Sequence, residues 1–227
     1  MDTEDDRISA IAALNEPLRR RIYRFVAMQE VSVSRHYTAT TLGVARSVAA
    51  FHLDKLANLG LLEVEYRHLS GRRGPGAGRP TKLYRRADNE VTLSVPQRHY
   101  DAAANLLAQA IEHAVDTSVS VIDALNVASL EYGKFMAAGI HGLEDHHSSP
   151  IEQLGNLLAN YGYEPRIVRK TITLANCPFR TLTVEHRDLI CGMNRALIAG
   201  VVEAVGLAGT SARLDPTPGR CCVKITV

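Results

Sequence analysis

The chain has 227 residues, of which 46% are hydrophobic and 22% charged, as is ordinary for a globular protein with room for two modest domains. Its first stretch, MDTEDDRIS, is acidic where a secretory leader would be basic and then apolar. The most apolar stretch, ALIAGVVEAVGLAG, is interrupted by Glu203 and is too short to cross a bilayer. We therefore expect a soluble, cytoplasmic protein with no membrane partner.

The net charge of +2 conceals an asymmetry along the chain. Residues 1–98 carry 16 Lys+Arg and 11 Asp+Glu, a balance of +5, and the remainder carries 10 against 13, a balance of −3. Residues 67–86 hold seven basic side chains and no acidic one. A basic patch beside a mildly acidic remainder is typical of a nucleic-acid-binding module joined to another unit.

The first part of the chain predicts helices. Apolar spacing indicates one helix over 7–14 and a second that restarts after Asn15, a residue that suits an N-cap. A short helix over RHYTATTLG stops at Gly43, and a longer one over VARSVAAFHLDKLANLG ends at Gly60. The glycine between a short and a longer helix indicates a helix-turn-helix pair.

A β-hairpin is predicted directly after these helices. Two strand-like runs, LLEVEYRHL and TKLYRRA, flank the Gly- and Pro-rich loop SGRRGPGAGRP. That loop is no phosphate-binding loop, because it joins two strands and lacks a Gly-Lys-Ser/Thr ending. Helices followed by a basic hairpin have the order of a winged helix-turn-helix domain, which we place at residues 1–90.

The longer helix, at residues 45–59, carries the predicted DNA-reading face. Ala49, Leu53 and Leu56 recur at i, i+4 and i+7 and are expected to pack inward. Apolar contact with thymine methyl groups is expected to matter here, since two of the candidates on the other face are Ala and Phe. The candidate DNA-contacting residues are Arg46, Ser47, Ala50, Phe51 and Lys55 on the helix and Arg72, Arg73 and Arg79 on the wing.

An alanine-rich region at 99–139 predicts one interrupted helix or two. Since a winged helix that reads a two-fold site normally needs a dimer, we predict that region 91–148 pairs two subunits rather than covering its own domain. The run HGLEDHH at 141–147 is interpreted as a solvated linker rather than a metal site. The apolar stripe of the helical region comprises Ala103, Leu106, Leu107, Ala110, Ile111 and Ala114.

Residues 149–227 predict a small α+β domain, so the whole chain is assigned to the α+β class. A helix over IEQLGNLLANYGYEP precedes RIVRKTITLAN, which alternates like one half-buried strand. DLICGMNRALIAGVVEAVG is helical, and SARLD and CCVKITV are predicted strands. This domain contains all four cysteines of the chain.

The cysteines indicate metal binding or reactivity, because cytosolic thiols are usually reduced. Cys177 precedes Pro178 and Cys191 lies near the start of the next helix, where free backbone N–H groups favour thiolates. Cys221 and Cys222 are expected to point to opposite faces of a strand, which leaves three ligands and one spare thiol. The spacing C-x13-C-x29-C does not match a zinc finger. The alternative is that the thiols only pack or cap.

The segment LGVARSVAAFHLDKLANLGLLEVEYR resembles the recognition segment of ArsR-like winged-helix transcriptional regulators, and GAGRPTKLYRR resembles their wing. NCPF, ICGMN and PGRCC resemble the carboxy-terminal domain of iron–sulfur-sensing Suf-type repressors. This second resemblance implies an iron–sulfur cluster on Cys177, Cys191 and Cys221. The fourth ligand is left open between water, Cys222 and His186.

These features predict a homodimeric transcriptional regulator that binds a two-fold operator in double-stranded DNA. Its operator affinity is expected to depend on the species at the carboxy-terminal cysteines. The alternatives within this class are a structural zinc ion, or an organic effector with no metal. An enzyme is not expected, since a thiol oxidoreductase built on Cys177 and His186 would lack a C-x-x-C motif.

Overall fold

A computed structural model of the chain describes residues 3–68, 79–138 and 149–227. It confirms the α+β class, with helices and two small antiparallel sheets. The chain divides into two compact units, Met1–Leu93 and Ser94–Val227, and each has its own hydrophobic core. In the described part of the chain, no helix combines the length and apolarity that crossing a bilayer requires.

The first unit contains the helix pair and the hairpin expected from the sequence. Gly43 ends the shorter helix in the left-handed region at φ 65°, and the longer helix begins three residues later. A two-residue strand, too short for a sequence pattern, adds to the hairpin in the order β1-β3-β2. The elements are α1 (Glu4–Ala13), α2 (Pro17–Ala27), β1 (Val33–Ser34), α3 (Arg35–Leu42), α4 (Arg46–Asn58), β2 (Leu62–Arg67) and β3 (Thr81–Arg86).

The start of α2 differs by one residue from the prediction. Glu16 rather than Asn15 is the N-cap, because its carboxylate accepts hydrogen bonds from the backbone N–H groups of Leu18 and Arg19. These bonds lower the pKa of Glu16, and they use two of the N–H groups that the first turn leaves unpaired. The cap therefore fixes the entry of the chain into α2.

The second unit packs its helices against a four-stranded sheet in the order β4-β5-β7-β6. The region predicted as one helix or two is two helices, separated at Ser118, which has φ 59°. Both share one core with the cysteine-bearing elements. Most of the predicted stripe is buried in that core, so the expectation that it pairs subunits rather than covering its own unit is wrong for Ala103, Leu106, Ala110 and Ala114. The elements are α5 (Tyr100–Thr117), α6 (Val121–Ala138), α7 (Pro150–Asn160), β4 (Pro165–Val168), β5 (Thr171–Leu174), α8 (Leu182–Glu185), α9 (Arg187–Val205), β6 (Ser211–Leu214) and β7 (Val223–Thr226).

Two strand predictions in this unit are wrong. RIVRKTITLAN is a hairpin of β4 and β5 rather than one strand, because the chain reverses at Arg169, which has φ 53°. CCVKITV enters the sheet only at Val223, so Cys221 and Cys222 precede β7. The alternation of side chains along a strand therefore does not apply to this cysteine pair.

Helices α6 and α9 pack with their backbones in contact. A Cβ atom on Gly133 of α6 would lie 2.0 Å from the carbonyl oxygen of Leu197, and one on Gly200 of α9 would lie 2.0 Å from that of Leu130. The contact is reciprocal, with one glycine from each helix facing the other backbone. Only residues without a Cβ allow this approach, so the two glycines fix the position of α9.

We predict that Gly133→Ala and Gly200→Ala each lower the free energy of unfolding of the second unit by about 1–3 kcal/mol, because overpacking forces the helices apart. Gly192→Ala, in the same helix α9, is the matched control: its Cβ would meet nothing within 4 Å. Alanine there is expected to leave stability unchanged or raise it by up to about 1 kcal/mol through helix propensity. Urea unfolding followed by circular dichroism measures all three, and equal effects would contradict the contact.

Candidate functional site

Helix α4 presents the exposed row of side chains predicted to read DNA. Ser47, Phe51 and Lys55 are exposed at i, i+4 and i+8, and the large apolar Phe51 is 63% exposed. Arg46 is exposed at the first position of the helix, whereas Ala50 is half-buried at the edge of the row. On the opposite face, the predicted inward residues Ala49, Leu53 and Leu56 are fully buried.

Asp54 ties α4 to the hairpin. Its carboxylate accepts a hydrogen bond from Tyr84 Oη at 2.7 Å and pairs with Lys82, both on β3. Burial opposes ionisation of Asp54, but the bonds from Lys82 and Tyr84 outweigh it, and its pKa is lowered. The exposed row of α4 is thereby held in a fixed register against the hairpin strands.

Of the three arginines predicted on the wing, one lies among the described residues and two do not. Arg79 is exposed two residues before β3. Arg72 and Arg73 fall in the segment 69–78, which is not described. Within the described strands, Arg67 pairs with Glu65 and Arg85 pairs with Glu63, whereas Arg79 has no ion pair with a described carboxylate. Arg79 is therefore available to an external anion.

The four cysteines of the second unit are free, buried and in contact with one another. The thiols of Cys177 and Cys221 share a hydrogen bond. Cys222 in turn contacts both Cys221 and Cys191. The side chains thus form a continuous series in the order 177, 221, 222, 191. Each member of the adjacent pair contacts one of the other two thiols, Cys221 with Cys177 and Cys222 with Cys191, so these contacts do not single out one of the pair as the ligand.

Three of the thiols, Cys177, Cys191 and Cys221, have raised pKa values. Hydrogen bonding to Cys221 and burial raise the pKa of Cys177, although the backbone N–H of Phe179 opposes this. For Cys221, the bond from Cys177 lowers the pKa, but contact with Cys222 and burial outweigh it and raise the pKa to about 12. Burial likewise raises the pKa of Cys191.

Contrary to the prediction from the sequence, Cys177 does not lie at the start of a helix. The residues after Pro178 form a turn, and α8 begins only at Leu182. One backbone N–H reaches the sulfur, instead of the several that the start of a long helix would offer. Hydrogen bonding to Cys221 and desolvation consequently outweigh this N–H group and raise the pKa of Cys177.

The sequence did not predict a buried pair of polar side chains that lies beneath the thiols. Tyr163 Oη donates to Asn194 Oδ1 at 2.6 Å, and Asn194 Nδ2 donates to Cys221 Sγ at 3.2 Å. Both side chains are essentially inaccessible to solvent. The signal available in the sequence was an asparagine on the apolar face of α9, between Ile190 and Leu197. Asn194 therefore fixes the orientation of Cys221.

The donor set is entirely sulfur. His186, the residue predicted as an alternative fourth ligand, is exposed to solvent. It is not among the residues that line the cleft beside the thiols, which is described below. Among the described residues, no three His, Cys, Asp or Glu side chains converge as they would around a single metal ion. Four neighbouring thiols nevertheless match the ligand chemistry of iron–sulfur clusters and of zinc. The predicted linker run 141–147 lies outside the described residues.

A cleft of about 370 Å³ opens beside these thiols. Its lining includes Cys177, Cys191 and Cys222, so the buried sulfur atoms are close to solvent through this opening.

Comparison of the chain with protein-family models, with curated proteins and with solved structures gives no match.

We predict that Cys177, Cys191 and Cys221 react with iodoacetamide at neutral pH more than about tenfold slower than free cysteine, since only thiolates react. Because their pKa values are raised, the rate is expected to keep increasing with pH beyond the ordinary thiol pKa of about 8.5. Metal-free protein digested and analysed by mass spectrometry gives the rate at each site.

The same protein unfolded in guanidinium chloride is the control, in which all four thiols should react like free cysteine. A native Cys177 that reacts faster than free cysteine would contradict the protonated state and would favour the thiol oxidoreductase alternative.

Proposed function

We propose that the protein is a DNA-binding transcriptional regulator of the ArsR-like winged-helix kind, whose second unit senses a species bound at the cysteines. The observation that carries the DNA-binding part is the exposed row of α4 beside a basic hairpin. A helix of this length fits the major groove, and an exposed arginine beside the hairpin, with no ion pair to a described carboxylate, suits the phosphate backbone.

In this proposal α4 lies in the major groove and the hairpin lies along the flanking backbone. Arg46 and Lys55 supply positive charge to phosphates, which strengthens binding without selecting sequence. Phe51 contacts a thymine methyl group, since an apolar ring cannot hydrogen-bond to base edges. Arg79 enters the minor groove or grips the backbone beside it.

The proposal includes a homodimer, because a two-fold operator requires two reading heads. The occupant proposed for the exposed apolar side chains of α5 and α6 is a second copy of this chain. Ile111 and Val115 are one turn apart on α5, and Val127 and Phe135 are two turns apart on α6. All four are more than half exposed, and Phe135 is 74% exposed.

The species proposed at the cysteines is an iron–sulfur cluster, held by Cys177, Cys191 and Cys221 with Cys222 adjacent. Such a cluster supplies a centre that responds to oxidation and to iron supply. The protein's own part is to release protons, because thiols with raised pKa values must deprotonate before they bind metal. DNA affinity then changes only if the cluster binds the DNA-competent state and the other state unequally.

The wing assignment predicts that Arg79→Gln weakens binding to double-stranded DNA of any sequence. It is expected to reduce the slope of log affinity against log salt by about 1, the value for one lost phosphate contact. Fluorescence anisotropy across a series of KCl concentrations measures the slope. Arg213→Gln, an exposed arginine on β6 of the second unit, is the matched control. An unchanged slope for Arg79→Gln would overturn the assignment.

The cluster assignment predicts iron and acid-labile sulfide in protein purified anaerobically, with visible absorption. Single Cys177→Ser, Cys191→Ser and Cys221→Ser changes are expected to abolish iron and sulfide retention and to alter DNA affinity. Circular dichroism checks that each variant is folded. Zinc without sulfide would replace the cluster with a structural ion. Colourless protein whose serine variants keep full DNA affinity would leave the cysteines without a sensing role.

A further inference from the structure

The cleft over the thiols is positively charged. Three arginines line it, Arg180, Arg187 and Arg220, and no Asp or Glu of the described residues does so. All three side chains belong to exposed residues, on the turn before α8, on the first turn of α9 and in the loop before β7. Three separate segments therefore bring like charges to one concave surface.

These arginines are not neutralised within the described part of the chain, where none of them forms an ion pair with a carboxylate. The acidic residue nearest in sequence to Arg220, Asp215, is instead paired with Lys224 at 3.1 Å. Glu185 and Asp188 flank Arg187 in sequence but do not line the cleft. Uncompensated like charges in a concave site raise the local potential and attract anions.

The dimensions of the cleft suit a small molecule. A volume of about 370 Å³ lies at the lower end of the range of small-ligand sites. Polar side chains add to the arginines, since Thr183 and Thr217 also line the cleft. Guanidinium groups bind carboxylate and phosphate oxygens in pairs, so several of them together select multivalent oxyanions.

We propose that this cleft binds a small multivalent oxyanion, carrying carboxylate or phosphate groups, directly over Cys191 and Cys222. Arg187 and Arg220 hold the anion from two sides, and Arg180 closes the third. The bound anion lies between solvent and the two thiols. Access to these thiols, by a metal ion or by an alkylating reagent, then depends on the concentration of the anion.

The experiment uses the full metal-free chain in a zwitterionic buffer, with inorganic pyrophosphate and citrate as the two probes. Isothermal titration calorimetry measures binding, and mass spectrometry measures alkylation of Cys191 and Cys222 by N-ethylmaleimide, a neutral reagent. Sodium chloride at matched ionic strength controls for screening. We expect saturable binding of at least one probe and slower alkylation in proportion to occupancy. Preference for one probe identifies a phosphate or a carboxylate ligand.

Arg187→Gln and Arg220→Gln are expected to weaken binding about tenfold each, the effect of losing one charge-assisted hydrogen bond. Arg187→Lys should bind with intermediate affinity, because lysine keeps the positive charge but lacks the paired N–H donors of the guanidinium group. Arg213→Gln, outside the cleft, should bind like the wild type. The proposal fails if neither probe binds, if sodium chloride protects the thiols equally, or if the cleft variants bind like the wild type.

The test of anion binding does not depend on the proposed regulation of DNA binding. Anion binding is measured without metal and without DNA, so its failure leaves the DNA and cluster experiments unaffected. Conversely, loss of the DNA-binding proposal through Arg79→Gln has no bearing on the cleft, because Arg79 belongs to the other unit.

Discussion

The close packing of α6 against α9 is the contact on which the second unit depends. Gly133 and Gly200 let each helix approach the other's carbonyl groups, so neither helix can slide or rotate without a backbone clash. Helix α9 also carries Cys191 and Asn194. The glycine contact therefore determines where one thiol lies and where the hydrogen-bond donor to Cys221 lies.

That arrangement leaves Cys177, Cys191 and Cys221 in surroundings that raise their pKa values. Asn194 donates one hydrogen bond to Cys221, and all four thiols belong to the hydrophobic core of the unit. A metal centre at these cysteines must therefore supply enough binding free energy to remove protons from buried sulfur atoms. Because the thiols share their core with α5 and α6, the proposed dimer helices lie within the same packed network. Such a network can carry coupling, provided that it has two arrangements.

The sequence predicted local features well where one periodicity or one residue type decides them. The buried stripe of Ala49, Leu53 and Leu56 follows from helical spacing, and the turn at Gly43 follows from the freedom of glycine at positive φ. The cysteine site required tertiary information. Alternation along a strand could not place Cys221 and Cys222, because the strand boundary at Val223 is set by pairing with Leu214 of β6. Such pairing leaves no local signal in the sequence.

Both proposed binding sites are positively charged, and they differ in the size of the anion that each can take. Residues 94–227 carry 11 basic and 13 acidic side chains, so the second unit has no general attraction for polyanions. Three of its arginines nevertheless line one cleft whose volume suits a small molecule. The first unit instead exposes its positive charge on a convex helix and beside a hairpin, where a duplex can lie. A long polyanion and a small one therefore do not compete for the same arginines. In the proposed regulator, this separation lets the chemistry at the thiols change while the DNA-reading surface keeps its own charge.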